Sequence, residues 1–232
     1  MLKVLQKTAT LIPKGRCLRR IAMGVLAVIS ALGATAAQAQ FNGEKNEISG
    51  SLGRIFISDQ GIRGATYFNP YVRSGKGLTF ELNYARFLFG NPVYAIAAEV
   101  PAVFNLDEDL NSRTNVVPKD YQQIFITPSL RANLFPETRV SPWLSFGGGV
   151  GHFSENKSLI YGGPNPGGSS TSGVLQAGIG LDARPFCGRF EKLVIRGEFR
   201  DFWSGTPDLP LAPTGKTRQH NYLLGGGAVW HF

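Results

Sequence analysis

Residues 218–232 read RQHNYLLGGGAVWHF, and their alternating pattern is the strongest indication of fold in the chain. One parity consists of Tyr222, Leu224, Gly226, Ala228, Trp230 and Phe232, and the other of Asn221, Leu223, Gly225, Gly227, Val229 and His231. Because side chains alternate between the two faces of a strand, the stretch predicts a strand whose apolar face ends in aromatic residues. A final strand docked in a soluble β-sandwich would alternate in the same way, so the choice depends on the rest of the sequence.

The N-terminal end has the pattern of a secretory signal peptide. Six basic residues and no acidic one lie in the first 20 positions, residues 21–37 are apolar and rich in small side chains, and Ala37-Gln38-Ala39 is a cleavage site of the A-x-A type. We therefore expect residues 1–39 to be removed and residues 40–232 to form one domain. The alternative is an uncleaved membrane anchor, for which an apolar run of about 17 residues is at the short limit.

Removal of the signal peptide changes what the charge implies. The chain has 24 basic and 16 acidic residues, a net charge of +8, but six basic and no acidic residues precede Gln40, which leaves 18 against 16. This small excess gives no support for nucleic-acid binding. Cys187 is the single cysteine after Gln40, so a disulfide framework and multi-cysteine zinc sites are excluded. No second apolar run is long enough to predict a transmembrane helix. An exported chain of this kind fits the envelope of a bacterium with two membranes.

The period-two pattern and the turn residues that interrupt it predict eight strands. Their approximate spans are 46–58, 77–90, 93–106, 121–136, 140–154, 171–186, 192–204 and 218–232. Their connections alternate between short turns, at 90–92, 136–139 and 187–191, and long loops rich in Gly, Pro, Asn and Ser, at 59–76, 107–120, 155–170 and 205–217. Long strands with short turns on one side and long loops on the other are typical of outer-membrane barrels.

Within most of these strands one parity is apolar and the other carries the charges. In the sixth strand, Leu175, Ile179 and Leu181 alternate with polar residues such as Gln176 and Asp182. A soluble sandwich would bury the apolar parity, whereas a membrane barrel turns it toward lipid and turns the charges into the lumen. Strand length, loop alternation and the terminal Phe favour the membrane barrel. The predicted fold is all-β, an eight-stranded antiparallel up-and-down transmembrane β-barrel.

Four residues do not fit this assignment. Arg54, Arg86 and Asp201 fall on the lipid-facing parity, so either β-bulges shift the register near them or they lie at the level of the lipid headgroups. Pro128 lies inside the fourth predicted strand, although it cannot donate a hydrogen bond to a neighbouring strand.

Charged residues on the inward parities define the main candidate site. They are Glu81, Glu99, Arg131, Asp182, Arg184, Arg196, Glu198 and Arg200. The interior of an eight-stranded barrel is just wide enough for side chains to fill, and buried charges need hydrogen-bonded partners. We therefore expect an ionic network that closes the lumen. The alternative is a charged constriction in a narrow pore.

A second, weaker motif is the pair His152 and Ser154 at the outer end of the fifth strand. It resembles the His-x-Ser pair of the lipid A deacylases, eight-stranded barrels that hydrolyse an acyl ester. A serine hydrolase also needs a third group that orients its base, and the acids available, Glu155 and Glu198, lack the spacing of that family. We expect an interfacial histidine, no enzyme and no catalytic residue. No pattern predicts a phosphate loop, a cofactor or a metal site.

Aromatic residues near the strand ends are expected to form two girdles at the membrane surfaces. They are Phe87, Phe89, Tyr94, Phe104, Phe135, Trp143, Phe186, Phe202, Trp203, Trp230 and Phe232. The glycine runs 147–149 and 225–227 are expected to allow curvature and close backbone approach. Cys187 is expected to be an ordinary free thiol in a periplasmic turn.

Together, residues 40–232 resemble the eight-stranded outer-membrane barrels typified by the OmpA membrane domain and OmpX. The resemblance implies export to the periplasm, escort by chaperones, insertion by the outer-membrane assembly machinery, and contact with outer-membrane lipid and lipopolysaccharide. It also implies that Tyr222, Leu224, Trp230 and Phe232 form the assembly signal. The expected protein is a monomer that binds no nucleic acid.

Three functions remain open at this point. The first is a structural or surface-interaction barrel whose long extracellular loops bind. The second is a narrow diffusion channel for ions or small solutes, and the third is a lipid A-modifying esterase. A lumen closed by paired charges favours the first.

Overall fold

The computed structural model describes residues 45–58, 60–61, 71–74, 77–112, 115–185, 190–206, 211 and 217–232. The strands are β1 (Asn46–Ile57), β2 (Gln60–Gly61), β3 (Tyr71–Ser74), β4 (Thr79–Gly90), β5 (Tyr94–Asn111), β6 (Asp120–Ile126), β7 (Ser129–Leu134), β8 (Val140–Glu155), β9 (Ser169–Ala183), β10 (Leu193–Gly205) and β11 (Arg218–His231). Among these residues, no helix is long and apolar enough to cross a membrane. The predicted signal peptide, Phe186 and Cys187 lie outside the described part of the chain.

The strands close into a ring with eight positions. β1 pairs with β4 on one side and with β11 on the other, and the pairs β4–β5, β8–β9, β9–β10 and β10–β11 continue the ring in chain order. β6 and β7 together fill the position between β5 and β8. The ring closes at a seam between β1 and β11. There the Asn46 nitrogen donates to the Phe232 carbonyl at 3.0 Å, and the Phe232 nitrogen donates to the Asn46 carbonyl at 2.9 Å. The predicted eight-stranded antiparallel barrel is confirmed.

The two ends of the ring differ in their connections. The turn end contains the start of β1, the end of β11 and the short connections that follow β4, β7 and β9. The loop end carries the longer connections after β1, β5, β8 and β10. Two predicted loops are shorter than expected, because β5 continues to Asn111 and the hairpin β2–β3 pairs with the end of β5. The end of β5 and the β2–β3 pair therefore extend the wall beyond the ring at the loop end.

The fourth predicted strand, 121–136, is not continuous, and that prediction was wrong at Thr127 and Pro128. Pro128 has no N–H group to donate to a neighbouring strand, and the wall divides there into β6 and β7. The Thr127 nitrogen donates to the Pro101 carbonyl at 3.2 Å, and the Gly148 nitrogen donates to the Pro128 carbonyl at 3.1 Å. These hydrogen bonds keep the wall joined across the break.

The two faces of the wall have opposite chemistry. On β7, Leu130 is 59% exposed whereas the next residue, Arg131, is fully buried. The outward face carries exposed side chains such as Leu52, Leu82 and Ile179, while charged and amide side chains point inward. A water-soluble sheet would reverse this arrangement, so the outward face matches the lipid-facing band of a membrane barrel.

Three charged residues on the lipid-facing parity keep the position that their parity predicts. The register is continuous through Arg54 on β1 and through Asp201 on β10, so a β-bulge does not explain either residue. A register shift in the β4–β5 pair follows Arg86, between Phe87 and Phe89. Asp201 lies 2.8 Å from a ring nitrogen of His220 on the outer surface of β11. We still predict that these three side chains lie at the level of the lipid headgroups.

Gly226 and Gly227, adjacent on β11, give a matched test of the seam. A Cβ on Gly227 would lie 2.6 Å from Ser51 Cα and closer still to the Gly50 carbonyl oxygen, whereas a Cβ on Gly226 would come no closer than 3.6 Å to the Arg196 carbonyl oxygen. Gly227→Ala is expected to lower the free energy of unfolding by about 1–3 kcal/mol, because it overpacks the wall. Gly226→Ala should change it by about 0.5 kcal/mol or less. Urea titration of the barrel in lipid vesicles measures both, and equal effects would contradict the close approach of β1 and β11.

Candidate functional site in the barrel lumen

Arg131, at the centre of β7, is fully buried and holds two carboxylates from other strands. Its Nη1 and Nη2 atoms donate to the two oxygens of Glu47 on β1, each at 2.6 Å. Nη1 also reaches Glu99 Oε2 on β5 at 3.2 Å, and Nε donates to Asn133 Oδ1 at 2.9 Å. The bidentate pair matches the fork geometry that makes arginine suited to buried ion pairs.

Arg196, on β10, forms a second bidentate pair. Its Nε and Nη2 atoms donate to the two oxygens of Asp182 on β9, each at 2.7 Å. Its Nη1 atom lies 3.1 Å from Glu47 Oε1. Glu47 therefore bridges Arg131 and Arg196 and joins strands from opposite sides of the ring.

Arg200, four residues beyond Arg196 on β10, contacts three carboxylates. Nη1 donates to Glu99 Oε1 at 2.8 Å, and Nε donates to Glu198 Oε2 at 3.1 Å. Nη2 lies 3.3 Å from Glu81 Oε1 without the geometry of a hydrogen bond. Ser51 on β1 donates a short hydrogen bond to Glu198 Oε1. These contacts link four strands of the wall through one guanidinium group.

Trp143 lies at the centre of this network, and its predicted place in a membrane girdle was wrong. The ring is buried, and the guanidinium carbons of Arg200, Arg196 and Arg131 lie 5.0, 5.3 and 5.9 Å from its centroid. Its Nε1 atom donates to Asp182 Oδ1 at 3.1 Å. A desolvated aromatic face attracts cations, so the ring supports three arginines at once. Gly180 makes room for it, since a Cβ there would collide with the indole.

The structure brings seven of the eight predicted charged residues together. They are Glu81, Glu99, Arg131, Asp182, Arg196, Glu198 and Arg200. Arg184 is half-buried just beyond β9 and is not among the ion-paired residues of the described network. The sequence reasoning missed Glu47, although its parity on β1 matches that of the inward Ser49 and Ser51.

The network contains more carboxylates than guanidiniums, so Glu81 and Glu47 are expected to contribute differently to stability. Five carboxylates face three guanidiniums, and Oε2 of Glu81 has no hydrogen-bond partner. Glu81→Gln is therefore expected to leave the free energy of unfolding unchanged or raise it by up to about 1 kcal/mol, because it removes surplus negative charge. Glu47→Gln should lower it by about 1.5–3 kcal/mol, as loss of hydrogen bonds to charged groups does. Urea unfolding in lipid vesicles measures both, and a larger loss for Glu81→Gln would contradict this assignment.

An apolar cluster fills the lumen between the ionic network and the loop end. It consists of Ile55, Val103, Leu110, Val117, Tyr121, Phe125, Phe153, Val174, Phe202 and Leu223. The ring of Phe125 stacks on Phe202 at 5.0 Å and meets Phe153 edge-on at 5.9 Å. Phe202 was predicted to lie in a girdle, and that prediction was wrong. We call this group the outer plug.

A smaller apolar cluster lies at the turn end, below the ionic network. It consists of Ala85, Phe87, Ala95 and Ala97, and the Phe87 ring stacks on His231 at 6.0 Å. Phe87 is thus a third aromatic residue that faces inward and not toward the membrane surface. The ionic network therefore lies between two apolar clusters.

The outward face of β11 carries the residues predicted as an assembly signal. Leu224, Trp230 and Phe232 are exposed, and Tyr222 stacks on Phe199 at 6.0 Å and on His220 at 5.6 Å. Further toward the loop end, the Arg218 guanidinium lies 4.7 Å from the centroid of Trp203. These outward rings have the arrangement expected of a membrane-surface girdle.

His152 and Ser154 are brought to no acid in the described structure. A ring nitrogen of His152 lies 2.9 Å from the Thr171 hydroxyl on the outer surface. Glu155 accepts a hydrogen bond from Asn165 at 3.2 Å, and Glu198 lies in the lumen. Within the described residues, no group of three or more His, Cys, Asp or Glu side chains could hold a metal ion.

The closed ring, the apolar exterior and the ion-paired lumen define a membrane β-barrel of the outer-membrane type. No protein-family model and no curated protein matches the sequence. Among solved structures, the chain is similar to neisserial surface protein A, NspA, with a TM-score of 0.51, 13% identity, and coverage of 81% of this chain and 97% of that chain. The likeness shows that this chain has the fold of the small outer-membrane barrels, as the resemblance to OmpA and OmpX predicted.

Two further solved structures are similar over most of their length. OprG from Pseudomonas aeruginosa has a TM-score of 0.48 and 11% identity, and the match covers 82% of this chain and 96% of that chain. Ail, the attachment invasion locus protein of Yersinia pestis, has a TM-score of 0.43 and 15% identity, with 80% and 99% covered.

Proposed function

We propose that this protein is a closed barrel of the bacterial outer membrane whose loops form a binding surface. It reaches the membrane by export to the periplasm, with chaperones and the assembly machinery as partners. It contacts outer-membrane lipid and lipopolysaccharide and works as a monomer. The outer-membrane barrel fold supports the location, and the outward residues of β11 support the role of that strand in assembly.

Closure of the lumen carries this proposal. Three arginines span the middle of the barrel and are fully or almost fully buried by their carboxylate partners. The outer plug covers them toward the loop end with stacked aromatic rings. An ion that crossed the lumen would have to displace both the ionic network and the outer plug. This supports a structural or binding role over a diffusion channel.

The loop end supports the second part of the proposal, because two of its connections form an ordered platform. Asn115 donates to the Gly162 carbonyl at 2.9 Å, and the Tyr161 nitrogen donates back to Asn115 Oδ1 at 2.9 Å. The Tyr161 hydroxyl donates to the Ser112 carbonyl at 2.6 Å, and Val117 on the same connection is buried in the outer plug. The loops are thus anchored to the closed lumen, and the Tyr161 ring remains exposed.

Single-channel recording in planar bilayers tests the closed lumen. Refolded residues 40–232 are expected to give no regular conductance steps. Glu81→Gln and Arg196→Ala should also be silent, because the outer plug remains, and Arg184→Ala serves as a control outside the network. Regular steps that change with Glu81→Gln or Arg196→Ala, but not with Arg184→Ala, would overturn the proposal in favour of a channel.

The proposal includes no catalytic activity. The His152 ring is paired with Thr171, and a hydrolase would need an acid in that place. Lipid A from cells that express the protein is expected to keep its acyl chains. Loss of an acyl chain that is abolished by Ser154→Ala would overturn this part of the proposal.

A further inference from the structure

A buried carboxylate lies at the loop end, outside the ionic network. The register of β5 against β6 shifts between Asn105 and Glu108. This shift turns Glu108 inward, where it is fully buried, while Asp107 and Asp109 are exposed. Exposed acids on the outer surface place this level beyond the lipid-facing band. Glu108 is therefore a buried acid in the extracellular extension of the wall.

Glu108 has little to compensate its charge. Its Oε2 atom accepts one hydrogen bond, from Asn105 Nδ2 at 2.8 Å, and its Oε1 atom has no hydrogen-bond partner. No described lysine or arginine forms an ion pair with it, and the electrostatic attraction of Arg54 on β1 only partly offsets its burial. Burial raises the pKa of the Glu108 carboxyl for this reason. A buried carboxylate without a basic partner costs several kcal/mol, so this group favours a proton or a bound cation.

Other oxygens converge on the same place. Glu108 Oε2, Asn105 Oδ1 and the main-chain oxygen of Asp107 all lie within 2.8 Å of the position that a Cβ on Gly77 would take. Asn105 Oδ1 has no hydrogen-bond partner, although the residue is fully buried. A side chain at position 77 would collide with all three oxygens, so glycine is what allows them to lie this close together.

The neighbours of Asn105 in the sheet add further unpartnered oxygens. Thr79 on β4 and Gln123 on β6 lie directly opposite Asn105 on either side. Both are fully buried, and Thr79 Oγ1, Gln123 Oε1 and Gln123 Nε2 have no hydrogen-bond partner. Buried polar atoms are normally satisfied. Unsatisfied oxygens next to a buried carboxylate therefore indicate a cation that oxygen atoms would coordinate.

We propose that Glu108, Asn105 and the Asp107 carbonyl bind a divalent cation, with Ca²⁺ as the best fit. Ca²⁺ accepts six to eight oxygen ligands from carboxylates, amides, main-chain carbonyls and water in flexible geometry, whereas Mg²⁺ demands a near-ideal octahedron. A single carboxylate gives weak binding, in the range of about 10⁻⁴–10⁻³ M found in extracellular modules. The cation would tie the start of β4 to the extended end of β5 and so fix the base of the connection 59–76. This inference does not depend on the proposed function.

Terbium luminescence tests the site, because Tb³⁺ replaces Ca²⁺ and is sensitised by a nearby tyrosine. Tyr121 is the register partner of Glu108 and is buried beside it. The refolded barrel in detergent is expected to show tyrosine-sensitised Tb³⁺ emission that millimolar Ca²⁺ displaces. Glu108→Gln should weaken Tb³⁺ binding by about tenfold or more, since it removes the one carboxylate. Asp109→Asn is the matched control, because it removes a neighbouring exposed charge from a residue that supplies no ligand.

A measurement on the unmodified chain guards against a variant that does not fold. Ca²⁺ is expected to raise the thermal midpoint of the wild-type barrel by a few degrees relative to EDTA, and Mg²⁺ should raise it less. No Tb³⁺ emission, an equal response to Ca²⁺ and Mg²⁺, or the same binding by wild type and Glu108→Gln would each overturn the site. If Asp109→Asn lost as much binding as Glu108→Gln, the effect would be attraction by surface charge and the site would be overturned.

Discussion

Arg200→Met is expected to lower the free energy of unfolding of the barrel by about 3–5 kcal/mol, the cost of removing one partner from a buried ion pair. The substitution keeps an unbranched side chain but leaves Glu99, Glu198 and Glu81 without the guanidinium that they share. It also removes one of the three cations around the Trp143 ring. Equilibrium urea unfolding of the refolded barrel in lipid vesicles measures the loss.

Arg184→Met is the matched control for this prediction. Arg184 lies on the same inward parity as Asp182, yet it is half-buried beyond the end of β9 and takes no part in the described network. Its replacement should change the free energy of unfolding by about 0.5 kcal/mol or less, as is usual for a residue away from buried pairs. If the two variants lose equal stability, the ionic network is not the element that holds the middle of the barrel.

Phe125→Ala is expected to cost about 3–5 kcal/mol, the usual loss for a buried phenylalanine. Phe125 is fully buried and is the one ring of the outer plug that contacts both Phe202 and Phe153. Its removal opens a cavity at the loop end but leaves the ionic layer intact. The variant should therefore be less stable in urea and still give no regular conductance steps.

Phe146 provides the comparison on the other face of the wall. It is exposed to the lipid side on β8, so Phe146→Leu exchanges one apolar side chain for another in contact with lipid and should cost well under 1.5 kcal/mol. Phe125→Leu loses two ring contacts and should cost more. Regular conductance in Phe125→Ala would show that the ionic layer alone does not close the lumen, and equal losses in the two leucine variants would contradict the plug.

The sequence predicted the parts of the fold that depend on local pattern. Alternation along Leu175–Asp182 or Asn221–Phe232 assigns each side chain to a face, because the period of a strand is two. The order of short turns and long loops then predicts an antiparallel ring. Where the pattern was interrupted, the prediction was weaker. The sequence showed that Pro128 does not suit the interior of a strand, but it did not predict the division into β6 and β7.

Within the lumen, the sequence could indicate inward charges but not their partners. Arg131 and Glu47 are 84 residues apart in the chain, and they meet only because β1 and β7 lie across the closed ring from each other. Trp143, Phe87 and Phe202 looked like girdle residues because they lie near strand ends. They share the parity of the inward residues Ser145, Glu81 and Arg200 of the same strands, so alternation by itself could have placed all three rings in the lumen.

Strand length, the alternation of short turns and long loops, the terminal Phe and the period-two pattern together predicted a membrane barrel with an apolar exterior and charges inside, since these features can be read along each strand and its connections. The tertiary structure decided which charges pair, that an apolar cluster lies between the ionic network and the loop end, and that Glu108 is buried without an ion pair to a described lysine or arginine. Those features depend on the register and closure of the ring, which bring together residues that are distant in the chain.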